Sequence, residues 1–267
     1  MRAQYEVERE LADRLLKASE DERPGLYAAV YRELFRRVPD HPQLTRPLAP
    51  DYFEQRVRAK VDAIRFVAPS EFALLEVGAG DCALAAAMAE YATHVYAVDA
   101  APDPRRDAPV PNNVSLLPAD GARLDVPSES VDVVYSDQVL EHLHPDDAPR
   151  HLREALRVLR PGGRYLCFTP NRLAGPHDIS RVFSCTTPRG MHLKEYTTGE
   201  LRTAFLSAGF ARVDSFFFAR DRLREVPSTV LASLERVLER LPARVGWAIA
   251  RREPLASILG AVVATRP

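Results

Sequence analysis

The stretch Leu74-Leu75-Glu76-Val77-Gly78-Ala79-Gly80-Asp81 constrains this chain more than any other. Its apolar lead-in from Phe72 reads as a buried parallel strand, Gly78 and Gly80 permit a tight turn, and Cys82 to Tyr91 reads as a helix. A strand, a glycine turn and a helix in that order bring backbone N–H groups close to a nucleotide-like ligand. Dinucleotide sites use such a turn to hold an anionic pyrophosphate, which a carboxylate two places before the first glycine would repel. Glu76 therefore argues for a ligand that is cationic at this end. The turn alone leaves a dinucleotide open, because Gly78, Gly80 and Ala83 also satisfy that spacing in its Gly/Ala variant.

The following segments extend the pattern. His94 to Val98 reads as a second strand ending in Asp99, about twenty residues beyond the turn, where an acid accepts hydrogen bonds from both ribose hydroxyls. Val114 to Leu117 leads into Asp120-Gly121, a carboxylate for an adenine amino group beside a glycine that leaves room for the ring. A fourth strand, Val131 to Tyr135, ends at Ser136-Asp137-Gln138, and a fifth, Arg164 to Thr169, follows the turn Arg160-Pro161-Gly162-Gly163. The stretches LLEVGAGD, YAVDA, PADGARLDVP, VDVVYSDQVLEHL and VLRPGGRYLCFTPN, in this order, closely resemble class I S-adenosylmethionine (SAM)-dependent methyltransferases, and the resemblance continues through AFLSAGF. It implies SAM as cofactor, held by Glu76, Gly78, Gly80, Asp81, Asp99, Ala100, Asp120, Gly121 and Ser136. SAM carries a sulfonium and an ammonium, the cationic character that Glu76 suits.

The implied fold is a doubly wound, seven-stranded, mostly parallel α/β sheet with an antiparallel last strand. A helical N-terminal extension over residues 1–67 precedes a SAM-binding domain over 68–267, with a helical insertion at about 220–257. The length of 267 residues and 46% hydrophobic content suffice for one sizeable core. Tyr5 to Leu16, Leu26 to Phe35 and Tyr52 to Val67 show apolar residues at helical spacing, and these helices either cover an apolar edge or close over the cofactor and shape the acceptor pocket. Leu201 to Ala208 reads as a helix, Ala211 to Ala219 as a sixth strand and Leu259 to Ala264 as the last. Between those strands, Val230, Leu231, Leu234, Val237, Leu238 and Leu241 form one helical face opposite Glu235, Arg236, Glu239 and Arg240. A second amphipathic piece sets Arg244, Arg251 and Arg252 around Trp247 and Ile249. The insertion is expected to pack on its own domain; a homodimer contact through residues 228–252, a wall of the acceptor pocket and a membrane-surface contact are the alternatives.

A formal net charge of −1 gives no electrostatic reason to expect nucleic acid. The charged start lacks the apolar run of a signal peptide, so a cytoplasmic location is expected. Cys82, Cys167 and Cys185 are widely spaced without CxxC or His pairing and read as reduced thiols. The reaction implied is methyl transfer to a small-molecule acceptor, most simply a hydroxyl, whose high pKa calls for a base. By chain position His142 and His192 are the best candidates, with His177 in reserve; each is also explicable as a backbone-ordering residue. Asp137, Glu141 and His142 offer ligands within one turn, but Asp137-Gln138 stands where ubiquinone-pathway O-methyltransferases have an acidic start, so no metal is expected. N-methylation of an amine and a non-catalytic SAM-binding partner protein are the alternative functions.

Overall fold

The computed structural model describes residues 1–45, 50–101, 110–118, 122–219, 222–253 and 255–267. Asp120 and Gly121, the expected adenine contacts, lie outside the described residues.

The glycine turn joins strand β1 (Ala73–Val77) to helix α5 (Ala83–Met88), and strands β2 (His94–Asp99), β3 (Val114–Pro118) and β4 (Val131–Asp137) follow. Helix α6 (Ala148–Val158) leads into β5 (Leu159–Phe168), which absorbs the Pro161-Gly162-Gly163 turn as an irregularity opposite Val131 and Val133. Helix α7 (Thr198–Ala208) precedes β6 (Arg212–Ala219), and β8 (Ala261–Thr265) ends the fold. Among the described residues the sheet order is β3-β2-β1-β4-β5-β8-β6-β7, with β7 at Arg222–Pro227. The β1 to β5 pairings are parallel, whereas β8 runs antiparallel between β5 and β6.

Adjacent residues of each inner strand point to opposite faces, so β1 sends Leu75 into one core layer and Leu74 into the other. The first layer is covered by α6, α7 and two N-terminal helices, α1 (Arg2–Lys17) and α2 (Leu26–Arg37), through Leu11, Leu15, Val30 and Leu34. The second is covered by α5 and, after the short α3 (Pro42–Thr45), by α4 (Pro50–Val67) through Val61 and Ile64. The N-terminal helices are further tied down by Arg23, whose Nε and Nη2 donate to both oxygens of buried Asp147 at 2.8 and 2.9 Å, while Tyr27 Oη donates to the same carboxylate at 2.8 Å. Asp147, the residue before α6, is thus the anchor of this extension.

Among the described residues the sheet has eight strands rather than seven, and the additional one, β7, falls in the segment that the sequence presents as helical. It pairs with β6 alone, from Asp214↔Pro227 to Ala219↔Arg222. An edge strand needs only half a ladder and tolerates charge, so Arg222, Arg224 and Glu225 conceal the apolar alternation by which a strand is recognised. The rest of the insertion is helical: α8 (Ser228–Glu239), α9 (Ala243–Ala250) and α10 (Leu255–Ile258). Its first helix is rotated from the expected orientation. Leu231 and Leu238 are buried, but Val230 and Val237 are 57% and 54% exposed and Glu235 only 2%. Glu235 is buried because it caps another helix, accepting from Thr198 N at 2.7 Å and Gly199 N at 3.0 Å at the start of α7, and from Asn171 Nδ2 at 2.8 Å. A carboxylate there meets both the orphan N–H groups and the positive end of the α7 dipole.

Candidate functional site

The strand order reverses between β1 and β4, and ligands of open α/β sheets bind in the crevice beyond the carboxyl ends at such a point. A cavity of about 420 Å³ lies there, within the size range of small-molecule sites. The turn that floors it is fixed by hydrogen bonds to β2: Gly78 N and Ala79 N both donate to Val98 O, and Gly80 N donates to Asp99 Oδ2 at 2.8 Å. Gly78 and Gly80 have φ of 78° and 50°. At Gly78 a side chain would also strike Val139, its Cβ falling 2.5 Å from Cγ2.

Glu76, Gly78, Gly80, Asp81, Asp99 and Ala100 all line this cavity. Glu76 Oε2 is buried without a hydrogen-bond partner, and burial pushes the carboxyl up to about 8, against the pull of the Lys60 ammonium. A buried carboxylate so placed gains a partner from a cationic ligand group. Asp99 Oδ1 accepts from Ala101 N at 2.7 Å, and each of its oxygens retains a further lone pair for a ribose hydroxyl. Asp81 Oδ1 accepts from Ala83 N at 3.1 Å, a local turn at the entry to α5. Ser136 does not reach the cavity; it is buried beneath, with Oγ 3.0 Å from Tyr165 Oη. The residues present fit SAM: a carboxylate for its cationic end, an open glycine turn for close backbone approach, and an acid at the end of β2.

The opposite wall comes from the N-terminal helices, through Tyr31 and Phe35 of α2 and Val57 and Lys60 of α4. Lys60 Nζ lies 2.8 Å from Asp137 Oδ2. The closing function of these helices is thereby favoured over mere coverage of an edge. Lys60 carries no sequence signal, since a lysine on an amphipathic helix ordinarily faces water.

The three histidines occupy different environments. His142 lines the cofactor cavity, with Nδ1–H donating to Met191 O at 2.8 Å and its ring 4.9 Å from that of His192. Burial and the nearby His192 charge push it down to about 3, so it is a neutral and weak base at physiological pH. Burial lowers His192 as well, but hydrogen bonding to Glu195 at 2.8 Å and the Glu141 charge outweigh it and raise its pKa. His177 is the more exposed and lines a second cavity of about 360 Å³ beside Thr169 and Asn171.

Glu195 joins two of them. Its Oε1 accepts from His192 Nδ1 and from the His177 backbone at 2.7 Å, and its Oε2 lies 3.3 Å from His177 Nδ1. Burial pushes Glu195 up, but these hydrogen bonds prevail and bring it to about 2. Sequence reasoning gives Glu195 no role; its only signal is its position before the Thr197 cap of α7. Glu141 Oε2 accepts from Thr169 Oγ1 at 2.9 Å, and burial pushes Glu141 up to about 7 despite the His192 charge. Glu141, His142 and His192 each present a ligand atom within 4.8 Å of the others, a different trio from Asp137, Glu141 and His142. Asp137 turns instead to Lys60.

The sequence matches the family model described as a methyltransferase domain over residues 75–167. It is 35% identical over 158 residues to a Mycobacterium tuberculosis protein named as a probable S-adenosylmethionine-dependent methyltransferase, a match covering 57% of this chain. That match spans 54%, about half, of the relative's own length. A Cereibacter sphaeroides ubiquinone biosynthesis O-methyltransferase is 31% identical over 189 residues, covering 63% of this chain and 72% of that one. Among solved structures, a Burkholderia thailandensis 1,6-didemethyltoxoflavin-N1-methyltransferase with bound S-adenosylhomocysteine shares the fold, with a TM-score of 0.55 at 22% identity over 91% of this chain and 90% of that one. Among the described residues no helix is long and apolar enough to cross a membrane.

Proposed function

Because this chain belongs to the class I SAM-dependent methyltransferases, we propose that it transfers a methyl group from SAM to the hydroxyl of a small-molecule acceptor. The observation that carries this reading is the cavity at the strand-order switch, where the buried, unpartnered Glu76 oxygen meets the open glycine turn and Asp99. Glu76 holds the cationic amino-acid end, the Gly78 to Gly80 backbone approaches it closely, and Asp99 takes the ribose hydroxyls. SAM supplies a methyl group already activated by its positive sulfur. The protein's work is therefore alignment, exclusion of water by the N-terminal helices and removal of the acceptor proton.

His177 is the base in this proposal. Its Nδ1–H points to Glu195, which leaves Nε2 as the acceptor of a hydroxyl proton. Glu195 acts through His177 by fixing the tautomer and stabilising the charged ring, the role a carboxylate plays beside a catalytic histidine. His192 holds this geometry by its own hydrogen bond to Glu195, while His142, which lines the other cavity, is kept neutral and is too weak a base for the role. The reading carries with it a cytoplasmic setting, and the exposed Val230, Leu234 and Val237 of α8 support self-association through residues 228–252.

The test is calorimetry with SAM and with NAD, followed by turnover of methyl-labelled SAM. Binding of SAM alone and label in a hydroxyl of the product bear the proposal out. Preference for NAD overturns it, label on nitrogen makes the chain an N-methyltransferase, and tight SAM binding without turnover by any acceptor makes it a binding partner.

A further inference from the structure

The cofactor cavity does not end at the turn. Asp137 and Gln138 line it and also line the second cavity, so the two spaces adjoin across these residues at the carboxyl end of β4. The second cavity continues past Phe168 and Thr169 at the end of β5 to Gly260 and Ala261 at the start of β8. Since β8 runs antiparallel, its beginning lies at the same edge of the sheet as the ends of β4 and β5. A molecule in this space stands next to whatever occupies the cofactor cavity.

Its charge is unusual for a surface cleft. Among the described lining residues Asp137 alone is acidic, and Lys60 holds its Oδ2 at 2.8 Å. Thr169 Oγ1 and Asn171 Nδ2 are committed to Glu141 and Glu235. Arg251, following α9, also lines the cavity, is half-buried, and forms no ion pair among the described residues. Its guanidinium lies 4.5 Å from the Trp247 ring centroid, an arrangement that orients the planar fork without neutralising it.

The geometry points to this second cavity as an acceptor subsite that selects molecules carrying an oxyanion, carboxylate or phosphate, with Arg251 as the recognising cation. The inference rests on the methyltransferase reading above and deepens it. A guanidinium matches either anion with two parallel hydrogen bonds. A neutral or cationic acceptor would instead cover Arg251 without pairing it, which costs free energy and so discriminates against that acceptor. Phe168 and Leu259 provide apolar contact for a carbon skeleton, and His177 lines the same cavity as the proposed base. The inserted helices between β7 and β8 thereby gain a purpose, since they bring Arg251 to the acceptor.

The experiment passes a protein-free extract of small cell metabolites through a strong anion exchanger at pH 8. Flow-through and salt eluate are each incubated with the full chain and methyl-labelled SAM. Label entering a compound from the eluate supports the inference, and phosphatase treatment of that fraction separates a phosphate source from a carboxylate source. Arg251→Gln should raise KM for that compound at least about tenfold, Arg251→Lys should recover part of it, and SAM affinity by calorimetry should stay within about twofold. Acceptor activity confined to the flow-through, or an unchanged KM in Arg251→Gln, overturns the subsite. Intact SAM binding with no labelling from either fraction overturns it too, whereas loss of SAM binding in the wild-type chain sinks the underlying methyltransferase reading.

Discussion

Two buried glutamates, Glu76 beside the proposed cofactor cavity and Glu195 beside the proposed acceptor cavity, shift in opposite directions. Burial raises Glu76 to about 8, with one oxygen unpartnered. Burial opposes Glu195 as well, yet the hydrogen bonds from His177 and His192 bring it to about 2. The difference lies in whether the protein itself supplies donors. Glu195 is completed by its own chain and serves as a clamp, whereas the Oε2 of Glu76 finds no donor among the described residues. Glu141 also keeps one oxygen unpartnered, but Glu76 alone of the two lines the cavity at the strand-order switch, where a ligand can reach it.

The largest effect is expected at the residue the clamp serves. His177→Gln should lower kcat by about 10²- to 10⁴-fold with SAM affinity nearly unchanged, as for loss of a general base. A selective loss in His142→Gln instead, with His177→Gln unaffected, would transfer the role to the cofactor side. Glu195→Ala should destabilise the fold by about 3–5 kcal/mol, the scale for breaking a buried, paired charge, measured by denaturant midpoint. Its folded pKa is depressed, so its stabilisation is present above about pH 4.5 and lost as pH falls toward 2. A variant as stable as the wild type at pH 7 means the clamp is not one.

For Glu76 the sign is reversed. Its raised folded pKa makes the cofactor-free fold lose stability as pH rises from about 4.5 to 8, and Glu76→Gln should flatten that slope. SAM, being cationic, prefers the ionised form, so its affinity should rise with pH by up to about tenfold per unit until pH 8. Equal pH dependence in wild type and Glu76→Gln, by calorimetry, removes Glu76 from the site. Asp99→Ala should weaken SAM by about 1.5–3 kcal/mol, the range for a hydrogen bond to a charged group; unchanged affinity with the fold intact contradicts the ribose assignment. The smallest effect should come from Leu234→Asp, which lies outside both sites. At 37% exposure it should change monomer stability by no more than about 0.5 kcal/mol while reducing any dimer to a monomer by light scattering. A large drop in melting temperature would show that this face is covered within the monomer.

The cofactor side was legible because its information is local. Glu76, the glycines and Asp99 each sit at the end of a strand whose apolar run announces it, and chain order alone brings these ends together at the switch between β1 and β4. The doubly wound sheet and its antiparallel closing strand were legible through the family resemblance that these strand ends carry. Elsewhere the pairings span long sequence separations: Glu235 with Thr198, Lys60 with Asp137, and the two cavities that share Gln138 as lining. No short spacing encodes which charged face of α8 turns inward, and Glu235 is inside because the N–H groups of α7 need an acceptor there. The sequence by itself determined the inner parallel strands and the glycine turn, since these follow from apolar runs and glycine spacing, and through its resemblance to a known family the closing antiparallel strand. Tertiary structure decided the eighth strand, the rotation of the inserted helix and which histidine faces open space, because each depends on where distant segments find partners for their buried polar groups.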